Sequence, residues 1–239
     1  MSSSSEWVLY YWPLAGRGEF VRLVFEEAGV PYKEINDVEL LSKNFKKIDL
    51  PPSEDFSFPC FAPPVIKKGD FVLSQTPVIC EYLGKKFGLY PDGGEEEEYH
   101  ARQFNLTIHD FIADGRLAFH GRNHTESYYT QKEETQTYID FFVKNRLPKW
   151  LRNLEHLLNA NYGKHGGKGY AIGTKMTYVD LALLHVLRAT ESQFPAPWEE
   201  LKGSFPLCRE FKERMSQRPN LAAYFKSDRC RPFEGNSMM

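Results

Sequence analysis

Apolar and aromatic residues crowd positions 7–12 (Trp-Val-Leu-Tyr-Tyr-Trp) and stop at Pro13 and Gly16, the pattern of a short buried strand ended by chain breakers. The spacing then changes. Across residues 18–29, Phe20, Val21, Leu23, Val24 and Phe25 recur at helical intervals, and Gly29 suits the position just past a helix end. Residues 31–37 predict a second strand, 40–48 a short helix, and 50–63, rich in Pro and Ser, a loop. Residues 64–67 and 71–73 flank the turn Lys68-Gly69-Asp70 as two strands of a hairpin. Residues 75–87 read as a helix, with Thr76-Pro77 forming an N-cap followed by proline in the first turn.

That order, β-α-β-α-β-β-α, predicts a small α/β domain with a mixed four-stranded sheet over residues 1–88. Residues 88–98 are rich in Gly, Pro and Glu, so 89–98 are assigned as a linker. Residues 99–239 are expected to be an all-α domain, with helical periodicity over 99–120, 126–159, 176–189, 206–217 and 219–226 and a flexible loop at 163–169. One local signal is sharp: Thr177-Tyr178-Val179-Asp180, with Met176 before it and Leu181 after it, has the form of a capping box with a hydrophobic staple. It starts a helix and bears on folding, not on chemistry.

The composition narrows the function classes. Of the 239 residues, 41% are hydrophobic and 26% charged, which fits a globular chain and not a disordered one. A formal charge of -2 gives no reason to expect nucleic acid or an anionic membrane as partner. No apolar run approaches the roughly 20 residues of a membrane helix, and the opening residues lack the basic and apolar regions of a secretory signal. Four cysteines with no metal-type spacing suggest a reduced, cytoplasmic protein without a metal.

Three segments of the first domain can carry chemistry. Pro63-Pro64 stands at the entrance of a strand, where a cis bond would leave a carbonyl able to pair with an extended ligand; an ordinary polyproline turn is the plainer alternative. Gln75-Thr76-Pro77 delivers a strand into a helix N-terminus, a place that favours an anion, although a simple N-cap fits the same residues. The turn from Tyr10 to Gly18 puts two tyrosines at the end of the first strand, where open α/β sheets bind ligands. A phenol there can donate to a thiolate and so lower the pKa of the thiol; alternatively both tyrosines are core aromatics. Gly16-Arg17-Gly18 is not a dinucleotide fingerprint, because Val21 stands where glycine is required. His120 and His124 are four apart, with no third ligand suggested.

Together these segments resemble known proteins. The run Tyr11-Trp12-Pro13-Leu14-Ala15-Gly16-Arg17-Gly18 with Arg22 resembles the first strand-turn-helix of Pi-, Mu- and Sigma-like glutathione transferases, the tyrosine-type cytosolic members of that family. Residues 64–89 are similar to its cis-proline hairpin and third helix, 173–180 to its capping-box motif, and Arg218-Pro219 with Tyr224-Phe225 to its late helix. The resemblance implies a thioredoxin-like domain followed by an all-helical one, and a homodimer that uses glutathione as co-substrate with no metal.

Residue by residue, the resemblance implies Tyr11 as the catalytic tyrosine, Arg17 as a basic residue of the active-site turn and Pro64 as the cis-proline. It implies Pro63 as the backbone partner of the cysteinyl part of glutathione, and Gln75 and Thr76 as γ-glutamyl binders. Lys43, Lys46 and Lys47 are candidates for the glycyl carboxylate, and Asp114, with Asp110 as the other option, for an acid reaching the partner subunit's site. Leu14 of the turn would help line a site for a small apolar electrophile; Phe111, an aromatic of the helical domain, could line the same site, although such aromatics are more often core. The chain departs from the family pattern in four ways: Pro63 has no N–H, the second helix lacks a tryptophan, the loop over 50–61 is long, and Cys60 stands where some classes carry an aromatic dimer key. The expected activity is conjugation of the glutathione thiolate to electrophiles, a detoxification chemistry. A glutathione-dependent isomerase or peroxidase, and a non-catalytic structural or regulatory glutathione binder, stay open.

Overall fold

The computed structural model describes residues 6–45, 56–166 and 169–234. Two compact units emerge, one of residues 1–89 with 219–232, the other of residues 90–218 with 233–239. The first runs β1 (Trp7–Tyr10), α1 (Gly16–Ala28), β2 (Tyr32–Ile35), α2 (Val38–Phe45), β3 (Val65–Lys68), β4 (Phe71–Ser74) and α3 (Thr76–Lys86). The sheet order is β2-β1-β3-β4, with β1 parallel to β2 and antiparallel to β3. The mixed four-stranded sheet and its crossover helix make this the thioredoxin-like arrangement expected from the element order.

Alternation along β1 sorts its side chains between two cores. Trp7 packs against Phe25 of α1 and Phe87, with ring centroids 5.9 and 6.1 Å away. Tyr10 faces the opposite cluster with Leu41, Phe56, Val65 and Val72, meeting Phe56 edge-on at 5.1 Å. Tyr11, one residue past the strand end, is buried, and its N–H still donates to the Ile35 carbonyl at 3.1 Å. Strand β1 is thus shorter than the six apolar positions suggest, because Pro13 and the turn after it take the chain out of the ladder.

The second unit is helical: α4 (Glu95–Phe119), α5 (Lys132–Phe141), α6 (Leu147–Lys164), α7 (Tyr178–Gln193), α8 (Pro195–Leu201) and α9 (Pro206–Ser216). Helix α7 is buried on every side over Tyr178–Leu187, with Asp180 and His185 among the buried residues. Its capping box is complete: Thr177 accepts from the Val179 N–H, and Asp180 accepts from the Thr177 N–H at 2.7 Å and from the Ala171 N–H at 2.6 Å.

Three helical features depart from the sequence reading. The stretch 126–159 is not one helix but α5 and α6 joined by a π-helical turn, Phe142–Arg146. Pro148, in the first turn of α6, has no N–H to continue the α pattern. The seven-residue α8, opened by Pro195 and Pro197, is too short to give a periodic signal. The last helix, α10 (Pro219–Phe225), groups with the first unit, not with the helical one. It lies on α1, where the Tyr224 hydroxyl donates to Glu19 Oε2 at 2.8 Å and Asn220 Nδ2 to the Glu27 carbonyl at 2.9 Å.

Candidate active site

The turn after β1 is built around the ring of Tyr11. Gly16 has φ +45°, and a Cβ there would meet the Tyr11 hydroxyl at 2.4 Å; a Cβ at Gly18 would meet Cδ1 of the same ring at 2.4 Å. The Gly-Arg-Gly sequence therefore clears space for a phenol, which is why it resembles a phosphate loop without being one. The Tyr11 hydroxyl accepts the main-chain N–H of Arg17 at 2.7 Å. That bond uses an oxygen lone pair and leaves the phenolic proton available to donate. Burial raises the Tyr11 pKa, against the opposing effects of the Arg17 and Gly18 N–H groups and the charges of Arg22 and Arg17. The group therefore stays a neutral donor at physiological pH.

Arg22 holds the turn from beneath. It is fully buried, with its guanidinium carbon 5.6 Å from the Tyr11 ring centroid. Nη1 donates to the Leu14 and Ala15 carbonyls, both at 3.0 Å, and to Glu19 Oε2 at 3.2 Å; Nε donates to Glu34 Oε1 at 3.0 Å. Burial opposes the charge, but Glu19 and Glu34 outweigh it and hold the guanidinium above its ordinary value, so it stays protonated. Sequence reading placed Arg22 within a motif but assigned it no role, and it missed Glu19 and Glu34. A charged residue at a helical core position, as Arg22 is among Phe20, Val21, Leu23 and Val24, is the signal that could have found it.

The other first-unit candidates sit on the two strand-to-element junctions nearby. The Pro63–Pro64 bond is cis, with Pro64 buried at the start of β3 and Pro63 half-buried. Gln75, the residue before α3, is exposed and has φ 72°. It is the one positive-φ residue other than glycine among the described residues, and such an outlier costs about 1–3 kcal/mol and concentrates at functional sites. Thr76 is buried beside it. Lys43 is exposed on α2, Arg17 and Leu14 are half-buried, and Lys46 and Lys47 lie outside the described residues.

In the helical unit, Asp114 Oδ2 accepts from Arg146 Nε at 2.8 Å and from Trp150 Nε1 at 2.7 Å, while Asp110 is exposed one turn earlier on α4. Phe111 is fully buried and stacks on Trp150 at 5.2 Å. It is a core aromatic of that unit and has no surface left to line an open substrate site, which corrects the expectation for this residue. His120 Nδ1 pairs with the Glu126 carbonyl at 2.9 Å. Among the described residues no helix is long and apolar enough to cross a membrane. A cavity of about 520 Å³ lies between α4 and α6, and one of about 400 Å³ beside α1 and α10; Tyr11 lines neither.

A sheet of this topology, with a buried phenol at the end of its first strand and a cis-proline at the third, defines a thioredoxin-like protein joined to a helical unit. Residues 121–228 match the family description "Glutathione S-transferase, C-terminal domain". The glutathione S-transferase of Plasmodium falciparum is 31% identical over 223 residues, covering 91% of this chain and 93% of that protein. Glutathione S-transferase P 1 of Xenopus laevis is 29% identical, covering 93% and 92%. The solved structure of the Onchocerca volvulus Pi-class glutathione S-transferase superposes with a TM-score of 0.69 at 24% identity, over 92% of this chain and 91% of that one. The chain belongs to the glutathione S-transferase family, a family of transferase enzymes.

Proposed function

We propose that this enzyme binds glutathione on its first unit and that Tyr11 donates a hydrogen bond to the tripeptide's thiolate. The observation that carries this reading is the Arg17 N–H to Tyr11 hydroxyl bond of 2.7 Å. A hydroxyl that already accepts from a rigid main-chain donor is fixed in direction and has its own proton to give. Hydrogen bonding to the charged form lowers a thiol pKa, and each unit corresponds to about 1.4 kcal/mol. The thiol gives its proton to solvent, and the thiolate attacks an electrophilic carbon of a small apolar co-substrate; the carbon–sulfur bond forms as the leaving group departs with its bonding pair, or, at an activated double bond, as the π pair shifts onto the activating group and takes a proton from solvent. No metal takes part in this scheme.

Each remaining residue has a role in holding the tripeptide. The Pro63 carbonyl accepts from the cysteinyl N–H, while Pro63, lacking an N–H, cannot return a second bond. Pro64 sets that entrance. Gln75 and Thr76 bind the γ-glutamyl carboxylate at the start of α3, where the helix dipole adds to their hydrogen bonds. Arg17 supplies positive charge near the thiolate, and Lys46 and Lys47 take the glycyl carboxylate. Asp114 of a partner subunit meets the γ-glutamyl amine, which makes the working form a homodimer in the cytoplasm. Leu14 lines the apolar electrophile site.

Tyr11→Phe tests the reading. It removes one hydroxyl and should lower kcat about 10²-fold or more, by loss of an electrostatic contact to the reacting atom, while glutathione affinity stays within about twofold. Tyr10→Phe, on the opposite face of the sheet, should leave turnover near the parent value. Undiminished conjugation by Tyr11→Phe would refute the assignment. Retention on immobilised glutathione without conjugation by the parent chain would make it a non-catalytic binder.

A further inference from the structure

The segment that returns to the first unit after residue 218 meets the Tyr11 turn by three separate routes. The Pro232 carbonyl accepts the Ala15 N–H at 2.8 Å. Arg231 Nη2 lies 3.6 Å from Glu34 Oε2, and the other oxygen of that carboxylate holds Arg22. The Tyr224 hydroxyl donates to Glu19 Oε2, the same oxygen that pairs with Arg22. Arg22 in turn holds the Leu14 and Ala15 carbonyls. Ala15 is therefore fixed through both of its main-chain groups, its N–H by Pro232 and its C=O by Arg22. Two residues later comes the Arg17 N–H that orients the Tyr11 hydroxyl.

We propose that Tyr224, Arg231 and the main chain at Pro232 are positioning residues for Tyr11: they act through Glu19, Glu34 and Arg22 to fix the turn that aims the phenol. The proposal rests on Tyr11 being the donor to the thiolate. None of the three touches the hydroxyl, so their effect must travel through the turn. If Ala15 and Arg17 loosen, the N–H that the phenol accepts no longer points one way, and the donated bond to sulfur lengthens. A misplacement of about 1 Å at a reacting group costs up to about 10²-fold in rate. Partial loosening costs less.

The test uses Arg231→Ala, Arg231→Lys, Tyr224→Phe and, as a control for stability alone, Leu221→Ala in the buried face of α10. Each is assayed in the full chain below its unfolding temperature, with pH profiles of kcat/KM and amide exchange at Ala15 and Arg17. Arg231→Ala and Tyr224→Phe should lower kcat about tenfold with KM for glutathione within about twofold. Both should move the rising limb of the pH profile about one unit upward and speed exchange at Ala15. Arg231→Lys should restore most of the rate. Leu221→Ala should lower the melting temperature and leave the profile in place. Parent-like profiles and Ala15 exchange in both variants overturn the proposal, as does an equal profile shift in Leu221→Ala. Faster Ala15 exchange together with undiminished turnover in Tyr11→Phe would instead overturn the role of Tyr11 and leave the link between the two segments standing.

Discussion

Gly18 lies flat against the ring of Tyr11: a Cβ built on it would stand 2.4 Å from Cδ1, 2.5 Å from Cγ and 3.0 Å from the tyrosine Cβ. These atoms are close to the tyrosine backbone, so the ring cannot swing away without moving the strand end. Gly18→Ala should therefore displace the phenol and lower kcat about tenfold or more, with a loss of about 1–3 kcal/mol in stability from overpacking. Urea unfolding and steady-state kinetics on the same preparation check it. Parent-like turnover would show that the turn has room the structure does not show.

Gln75 supports a prediction of opposite sign for stability and binding. Its φ of 72° suits glycine. Gln75→Gly should relieve that strain and, after the entropy of the extra glycine in the unfolded chain, stabilise the protein by roughly 0.5–1 kcal/mol. Glutathione affinity should fall about tenfold with the lost amide. Denaturation and calorimetric titration read the two effects separately. A Gly variant that binds as tightly as the parent would make the backbone outlier irrelevant to the ligand.

Asp180 gives the pH dependence. Burial pushes its carboxyl up to about 6, with the Ala171 and Thr177 hydrogen bonds opposing only in part. The ordinary value of the group, taken for the unfolded chain, is 3.8. Between these values the folded chain keeps a proton that the unfolded chain has released, so the contribution is favourable below pH 4, is lost as pH rises to about 6, and is flat above that. The fall is on the order of 2–3 kcal/mol. Asp180→Asn should remove this slope in urea titrations from pH 4 to 7. An unchanged slope would assign it to other carboxyls.

Asp114 is a carboxylate held in place by Arg146 and Trp150. Asp114→Asn keeps its size and removes its charge. It should raise KM for glutathione about threefold to tenfold with little change in kcat, as expected when uniform binding is lost. The same change in Asp110, which is exposed, should do less. If Asp110→Asn has the larger effect, the acid sits one turn earlier.

The sequence made visible what is local. The capping box at Thr177 and Asp180 spans four residues and shows itself as such, and the apolar run from Trp7 marks the strand that ends beside Tyr11. What stayed hidden depends on partners far along the chain. Tyr224 meets Glu19 across 205 positions, and no periodicity in residues 219–226 says which unit that helix will cover. The positive φ of Gln75 carries no compositional mark, since turns of that kind announce themselves by Gly or Asn. The π-turn before Pro148 was concealed because the apolar spacing on either side is helical. Phe111 was open to two readings because an aromatic on an amphipathic helix serves a core or a pocket equally well until its neighbours are known.

The first unit is assembled from two stretches of chain, residues 1–89 and 219–232, and the second is made long after the first. During synthesis the ribosome delivers β1, α1 and the Tyr11 turn well over a hundred residues before α10 and Pro232. Until those residues emerge, Glu19 lacks the Tyr224 hydroxyl and Ala15 lacks its carbonyl acceptor, so the nascent first unit waits with an unfinished turn and an uncovered helix. The Tyr11 turn can therefore reach its final form only after Pro232 has been made.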